Sequence, residues 1–447
     1  MSYAIKLSTI FAVFTCSNFL HAQEFNLDSA VVYALEHNPD LHAVYQQVSA
    51  AGARTDASKA GHMPTLNISH TARLSDNPLD AFADKLNTRQ VTTPDFDPAR
   101  LNDPSTTDLY YTRLALRWPV YTGGRVSALV EDAEYSETNS RLQYQYQREH
   151  TAASTMQAYL NALAAGQGLG IADDAVKAAV QHKNTTAVLA SEGRIVESDK
   201  LAAEVNLAAI RSQREQAATR YQSALDEFKL VVGLPLDTEI RLVAATPAEI
   251  GAGDTLKDIE KRALDTRKDL AAARAMLQAA KARVDAARAV RKPNVEIVAS
   301  SNWYDDNPGF DSQSSSIMGV ISFDLYDGKT DGEIDVTLAQ QREMQWQLQA
   351  LEQSTQKQVR DAWNSLHESR QRLDIAEDNV DTAERTVKLV KQRYGQGRTI
   401  LLDLLQAERL YTDARIEKLS AQLKLDTARV ALPLASGTLQ LPAGVSP

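Results

Sequence analysis

The polar residues with the most distinctive spacing in this sequence occur in two matching segments. Residues 191–204 read SEGRIVESDKLAAE and residues 394–408 read YGQGRTILLDLLQAE, so a Gly-Arg pair, an aspartate and an Ala-Glu pair recur at equal spacing. A glycine favours the turn at the end of a helix, and an aspartate at the start of a helix is stabilised by the helix dipole. The segments therefore predict charged helix-to-helix turns rather than a catalytic centre.

Motifs for catalysis or metal binding are missing from the sequence. It contains no nucleophile elbow, phosphate-binding loop or paired metal-ligand motif, and its eight histidines are scattered. Its single cysteine, Cys16, lies near the N-terminus, so the rest of the chain has no thiol chemistry. The net charge of −10 argues against nucleic acid as a partner, because phosphate binding needs a clustered positive field. We predict neither an enzyme nor a cofactor or metal site.

The first 22 residues are typical of an export signal. Lys6 precedes an apolar stretch, LSTIFAVFTC, and Ala22 is a suitable last residue before cleavage. Two other interpretations remain open, namely lipidation of Cys16 and a buried N-terminal helix. The sequence has no run of about 18 apolar residues and therefore no ordinary transmembrane helix.

The chain is internally duplicated. Residues 27–41, LDSAVVYALEHNPDL, align without gaps with residues 256–270, LKDIEKRALDTRKDL, and the two Gly-Arg segments align at a smaller offset. An insertion in the first half, between residues 68 and 158, accounts for the difference. Such repeats predict two equivalent structural halves. The predicted segments are a signal peptide (1–22), a first repeat (23–235), a linker (236–255), a second repeat (256–436) and a C-terminal tail (437–447).

Each half is predicted to contain long helices. Proline is absent from residues 120–234 and 309–432, which are rich in Ala, Gln, Glu, Leu, Arg and Lys. Because a proline inside a helix costs about 3 kcal/mol, its absence allows these stretches to be helical throughout. The apolar stripe is thin and contains many alanines, which favours side-by-side coiled-coil packing. Gly166, Gly168 and Gly170 predict a bend or a loosened turn in the first long helix.

Four segments alternate apolar and polar residues with a period of two. In the first, Leu66 and Ile68 share one face, whereas Asn67 and Ser69 share the other. Strands of this length with one apolar face are typical of outer-membrane barrels, although a soluble antiparallel sheet with one face on a helix has the same pattern. Four strands cannot close a barrel, so several copies must share one if lipid surrounds them. The predicted strands are 64–75, 110–120, 294–304 and 315–326.

The connections between these strands differ in composition at the two ends. Segment 76–109 is rich in Asp, Pro and Asn, and segment 305–313 is its shorter equivalent. Both fit external loops. Segments 120–125 and 325–332 contain glycines that permit a sharp turn from strand to helix. These turns are expected at the opposite end of the strands from the external loops.

With these elements, the chain resembles the TolC-like outer-membrane efflux protein family. The resemblance covers about residues 25 to 436 and is carried by the duplication, by the repeated order of helices and strands, and by WPVYTGGR and the two Gly-Arg segments. It implies a mainly α-helical fold with a transmembrane β part. Three protomers, each giving four strands, would form one twelve-stranded barrel, with an internally duplicated coiled-coil barrel of long helices beneath it.

The resemblance also implies a function, a location and partners. The expected protein is the outer-membrane channel of a tripartite efflux system, a homotrimer that exports small molecules without catalysing a reaction. Its barrel would contact outer-membrane lipid in a Gram-negative cell, and its helices would lie in the periplasm. A periplasmic adaptor and an inner-membrane transporter would bind it. One alternative is the outer-membrane component of type I protein secretion; another is an exported coiled-coil adaptor or adhesin, which would not explain the four strands.

The family places the duplicated Gly-Arg segments at a periplasmic gate. Asp403 would line the narrowest constriction, where three copies form an acidic ring that attracts cations. Gln406 occupies a position that is often acidic in the family, which weakens the predicted ring. The family closes its gate with tyrosine or arginine contacts between the two helical pairs, and Thr399 occupies the position of that arginine. Arg398, one residue earlier, could make the same gate contact or could serve adaptor docking. The resemblance assigns Asp403, Asp199, Ser198, Tyr394, Arg398, Thr399 and Gln406 to the gate, and Gly193, Arg194 and Gly397 to the tip turn and adaptor docking.

Overall fold

A computed structural model describes residues 23–244, 247 and 254–442. The predicted signal peptide, with Cys16, lies outside these residues. Within them, no helix combines the length and the apolar character that crossing a membrane would require. The chain divides into two units, each built from distant parts of the sequence. Unit 1 contains residues up to 40, 148–259 and 359 onwards, and unit 2 contains residues 41–147 and 260–358.

The described residues form ten α-helices and six β-strands, numbered here in chain order. The helices are α1 (Leu27–His37), α2 (Pro39–Lys59), α3 (Pro78–Asn87), α4 (Pro98–Asn102), α5 (Arg125–Ser191), α6 (Glu197–Val232), α7 (Leu256–Thr266), α8 (Lys268–Ala289), α9 (Gly328–Gly395) and α10 (Leu401–Ser436). The strands are β1 (Gln23–Phe25), β2 (Thr65–Ser75), β3 (Thr107–Tyr121), β4 (Ile240–Leu242), β5 (Asn294–Asp305) and β6 (Ser312–Ser322).

The predicted long helices are confirmed, because α5 has 67 residues and α9 has 68. The predicted loosened turn at the glycines of α5 is wrong: the helix continues through Gly166, Gly168 and Gly170. A Cβ atom at Gly166 would lie 3.1 Å from the Tyr221 ring of α6. This glycine therefore makes room for close packing of α6 against α5 rather than breaking the helix.

Unit 2 contains the four predicted strands as one antiparallel sheet in the order β2-β3-β5-β6. Leu66 pairs with Leu116, and Ile297 pairs with Gly319, so the predicted apolar residues share one face. The fourth strand ends at Ser322 rather than at residue 326. Its partner β5 begins at Asn294, which pairs with Ser322, so later residues have no strand residue of β5 opposite them.

Unit 1 has a core around two short parallel strands, β1 and β4, that the sequence did not predict. The rings of Phe25 and Tyr159 both meet Phe228 edge to face, at 5.9 and 5.7 Å between centroids. The Tyr159 hydroxyl donates to the carbonyl oxygens of Phe25, at 3.0 Å, and Val243. Burial raises the pKa of Tyr159 above its usual range, so the hydroxyl also keeps its proton in alkaline solution.

Gly233, which ends α6, should tolerate no side chain. Its φ is +82°, and a Cβ atom would lie 2.6 Å from the carbonyl oxygen of His37. Gly233→Ala adds backbone strain and a backbone overlap, so we expect a loss of about 3 kcal/mol or more in the free energy of unfolding.

Gly193→Ala is the matched control for that substitution. Gly193 has a φ of +69°, but a Cβ atom added there would meet no other atom within 4 Å, so only the strain of about 1–2 kcal/mol should remain. Denaturant titration of the detergent-purified protein measures both variants. Equal losses would show that the overlap with His37 is relieved by a shift of the backbone.

Candidate functional site

The two Gly-Arg segments form helix-to-helix turns with the same backbone conformation. One turn joins α5 to α6 and the other joins α9 to α10. Gly193 and Gly397 have φ values of +69° and +67°, a left-handed conformation that glycine adopts without steric cost. The repeated glycines therefore occupy the same structural position in both turns.

Each glycine, and the arginine after it, closes the preceding helix through its backbone amide. The glycine donates to the carbonyl three residues earlier, and the arginine to the carbonyl five residues earlier, which is the Schellman arrangement. The distances are 3.0 Å for Gly193–Ala190, 2.9 Å for Arg194–Leu189, 2.9 Å for Gly397–Tyr394 and 2.9 Å for Arg398–Arg393. The recurrence of Gly-Arg thus has a local structural basis.

The helices after the turns begin at apolar residues. Val196 and Ile400 are the N-cap residues of α6 and α10, and neither side chain can accept a hydrogen bond from a backbone amide. Asp199 and Asp403 are the third residues of these helices, where a carboxylate is stabilised by the helix dipole. The Thr399 hydroxyl also donates to the Asp403 carboxylate.

Helix α10 separates buried apolar residues from exposed polar ones at its start. Leu401, Leu404 and Ala407 are buried, whereas Asp403 and Gln406 are exposed. Both positions that the family resemblance assigns to an acidic ring therefore lie on the free surface of α10. The apolar residues fix the direction in which these two side chains point.

Tyr394 of α9 lies within electrostatic range of Asp199 of α6. The Tyr394 side chain is half-buried, and its hydroxyl has no hydrogen-bond partner within the described ranges. Burial, and secondly the negative charge of Asp199, raises the pKa of Tyr394. The hydroxyl forms no hydrogen bond with the Asp199 carboxylate. The assignment of Tyr394 and Asp199 to a gate stays a prediction.

The remaining predicted site residues lie at the surface of the two turns. Ser198 is exposed at the second position of α6. Arg194 forms an ion pair with Glu192 at 3.4 Å. Arg398 is exposed and forms no ion pair with Asp199, Asp403 or any other residue that the structure describes.

A pair that the sequence did not reveal lies next to this region. His182 of α5 is buried, and its Nε2 lies 3.1 Å from Oε1 of Glu408 in α10. The two residues are 226 positions apart, so no spacing pattern could have joined them. A groove of about 740 Å³ beside the pair is lined by both residues, together with Asn206, Leu405 and Gln406. No group of three or more His, Cys, Asp or Glu side chains suited to a metal occurs in the described chain.

The four-stranded sheet of unit 2 offers a second functional surface. Its apolar face is solvent-exposed: Ile68 is 70 % exposed and Ile317 76 % exposed. Its other face carries polar residues, among them Ser69, Arg113 and Arg117. The outer edges of β2 and β6 pair with no other strand in the described part of the chain. An exposed apolar face of this kind marks a contact with a membrane or with another protein, and the two open edges can pair with further strands.

Comparison with known proteins finds one family whose model covers parts of both units. A family model described as "outer membrane efflux protein" matches residues 30–234 and 260–438. The proteases secretion protein PrtF of Dickeya chrysanthemi is 22 % identical over 432 residues, which cover 94 % of this chain and 89 % of the relative. The alkaline protease secretion protein AprF of Pseudomonas aeruginosa is 24 % identical over 437 residues, with 91 % and 83 % covered.

Solved structures with the same fold include two outer-membrane proteins. The Campylobacter jejuni CmeC outer membrane channel superposes with a TM-score of 0.80 at 17 % identity, covering 92 % of this chain and 85 % of that chain. The outer membrane protein VceC of Vibrio cholerae gives a TM-score of 0.76 at 18 % identity, with 92 % and 96 % covered. At these identities the similarity establishes the fold.

Proposed function

Because the chain belongs to the outer membrane efflux protein family, we propose that it is the outer-membrane channel of a tripartite efflux system. Three copies form one conduit through the outer membrane and the periplasm of a Gram-negative cell, and small molecules leave through it. The family and the fold are those of channel proteins, and the protein catalyses no reaction in this proposal. The predicted signal peptide of residues 1–22 would deliver it to the periplasm.

The observation that carries the proposal is the exposed apolar face of a sheet with two open edges. An unpaired backbone group in hydrocarbon costs several kcal/mol, so an isolated four-stranded sheet cannot remain in a bilayer. Pairing of β6 in one copy with β2 in the next removes both edges. Three copies give twelve strands, with the apolar residues facing lipid and the polar face lining the lumen.

The helical turns supply the other end of the conduit in this proposal. Asp403 of each copy forms an acidic ring at the gate, and Tyr394 and Asp199, one from each helical pair of a copy, belong to the same gate. The exposed turns around Gly193 and Gly397 bind a periplasmic adaptor, and an inner-membrane transporter supplies the energy. The two repeats, 23–235 and 256–436, each contribute one helical pair and two strands.

Type I protein secretion is the second candidate function. Both relatives named above, PrtF and AprF, are protease secretion proteins. The same conduit would then carry an unfolded protein instead of a small molecule. Deletion of the gene separates the two functions: accumulation of a fluorescent dye indicates efflux, whereas loss of a secreted protein from the medium indicates type I secretion.

Two adjacent substitutions in β2 test the barrel. Ile68→Lys places a charge on the apolar face, which costs about 2–4 kcal/mol per copy near the middle of a bilayer, so we expect loss of the trimer from the outer membrane. Asn67→Lys places the same charge on the polar face and should leave the trimer intact.

The amount of trimer in outer-membrane extracts is measured for both variants by gel mobility before and after heating. A trimer that dissociates on heating in the unaltered protein and in Asn67→Lys, but is absent in Ile68→Lys, supports the proposal. A water-soluble monomer, or equal effects of the two substitutions, would exclude it.

A further inference from the structure

Helix α3 crosses the end of the sheet that lies farthest from the long helices. It follows β2 directly, and the residues after it reach β6: the Ser312 hydroxyl donates to the Thr88 carbonyl at 2.9 Å, and Arg89 donates to the Gln313 carbonyl at 2.8 Å. A ten-residue helix is about 15 Å long, and the three spacings between four strands amount to about 14 Å. The helix therefore spans the sheet from one edge to the other.

Contacts with the sheet place α3 on its polar side. Arg73 and Ser75 lie an even number of residues after Asn67 and Ser69, so they share the polar face. Thr107 pairs with Ser75 and therefore lies on that face too. All three bind aspartates of α3. The distances are 3.2 Å for Arg73 Nη1–Asp80 Oδ1, 2.9 Å for Ser75 Oγ–Asp80 Oδ2 and 3.2 Å for Thr107 Oγ1–Asp84 Oδ2, and Arg73 also pairs with Asp84.

Two buried carboxylates, Asp84 and Asp95, hold the helix and the residues after it in place. Asp84 is buried between Arg73 and Thr107. After α3, the chain folds back, and the buried carboxylate of Asp95 accepts hydrogen bonds from Lys85 and from the amide and hydroxyl of Thr92. The contact with Lys85 is the main reason that the pKa of Asp95 lies well below its usual range. The carboxylate therefore stays ionised at neutral and mildly acidic pH, where its contacts with Lys85 and Thr92 persist.

We propose that α3 is an exit filter that limits the size of the solutes leaving the conduit. The inference rests on the proposed function, in which the polar face lines the lumen and the end bearing α3 opens outside the cell. One α3 from each copy then overhangs the lumen and narrows the outer mouth. Small molecules pass, whereas bulky polymers and folded proteins do not.

Thiol labelling on intact cells tests the filter. With Cys16→Ser, the chain has no cysteine, and Ser69→Cys then places a single thiol on the polar face below α3. A small charged maleimide and a maleimide carrying a bulky poly(ethylene glycol) chain are added outside. We expect the small reagent to react with this thiol and the bulky one to be excluded. Asp80→Asn combined with Asp84→Asn weakens the contacts that hold α3 and should raise labelling by the bulky reagent several-fold.

Two controls isolate the role of α3. Asp103→Asn removes an exposed charge from the same external segment without touching the ion pairs of α3, and should leave the exclusion unchanged. A thiol introduced by Ser105→Cys, in the exposed part of the segment, should react with both reagents in every background. Trimer mobility confirms that each variant is assembled, and replacement of residues 78–104 by a Gly-Ser linker provides a second way to remove the filter.

The results separate a failure of the filter from a failure of the conduit. If the bulky reagent reaches position 69 equally fast with α3 in place and with residues 78–104 replaced, the filter does not exist although the conduit stands. If even the small reagent fails to reach position 69 in assembled protein while position 105 reacts, the polar face does not line an outward-opening lumen. That result would overturn the proposed function together with the filter.

Discussion

Replacing Asp403 with asparagine is expected to lower the preference of the channel for cations, and replacing Gln406 with glutamate is expected to raise it. Both side chains are exposed on α10, next to buried Leu404. If three copies meet there, Asp403→Asn removes three charges from the narrowest part of the pore and Gln406→Glu adds three. A charged ring changes the local ion concentration, so we expect the permeability ratio of potassium to chloride to change by roughly tenfold in opposite directions.

Reversal potentials across planar bilayers, in asymmetric potassium chloride, measure this ratio. Asp413→Asn is the control, because Asp413 is also an exposed carboxylate of α10 but lies farther from the turn and pairs with Arg409 at 3.7 Å. It should change the ratio little. If Asp413→Asn and Asp403→Asn have equal effects, the selectivity comes from the general surface charge and the assignment of Asp403 to the gate is wrong.

Truncation of Phe228 is expected to cause a large loss of stability in unit 1. The side chain is fully buried, at 0 % exposure, between the rings of Phe25 and Tyr159. Phe228→Ala removes these contacts and leaves a cavity, which typically costs about 3–5 kcal/mol. Because Phe25 belongs to β1, the loss should also release the N-terminal strand from the core.

Leu230→Ala, two residues later on the same helix, is the matched control for that cavity. Leu230 is 65 % exposed, so its truncation should change the free energy of unfolding by no more than about 0.5 kcal/mol. Denaturant titration in detergent gives both values, and the amount of heat-dissociable trimer in the outer membrane gives their consequence in cells. A small effect of Phe228→Ala would mean that the core collapses around the cavity or that assembly, not this core, determines stability.

Several features could be predicted from the sequence because they depend on near neighbours in the chain. Long proline-free stretches produced α5 and α9, and period-two alternation located all four strands of the sheet. The Gly-Arg pairs predicted helix ends because the Schellman arrangement needs only residues within five positions of each other. The family resemblance built on these elements is confirmed by the family match.

Helix α3 had a local signal that composition obscured. The external segment 76–109 is rich in Asp, Pro and Asn, which favours a loop interpretation. Asn77 nevertheless caps α3, and Pro78 stands at its first position, the arrangement that commonly begins a helix. The signal was therefore present in NPLDAF. What it could not show is that Asp80 and Asp84 would bind residues of the sheet.

The sequence by itself determined the helices, the alternating strands, the turn glycines and the family. Only the tertiary structure decided which distant residues meet: the buried pair of His182 and Glu408, the parallel pairing of β1 with β4, and the position of α3 on the polar face. The physical reason is the range of the interactions. Backbone conformation and strand faces follow from a few adjacent residues, whereas a contact between distant residues forms only when the packing of many other groups brings them together.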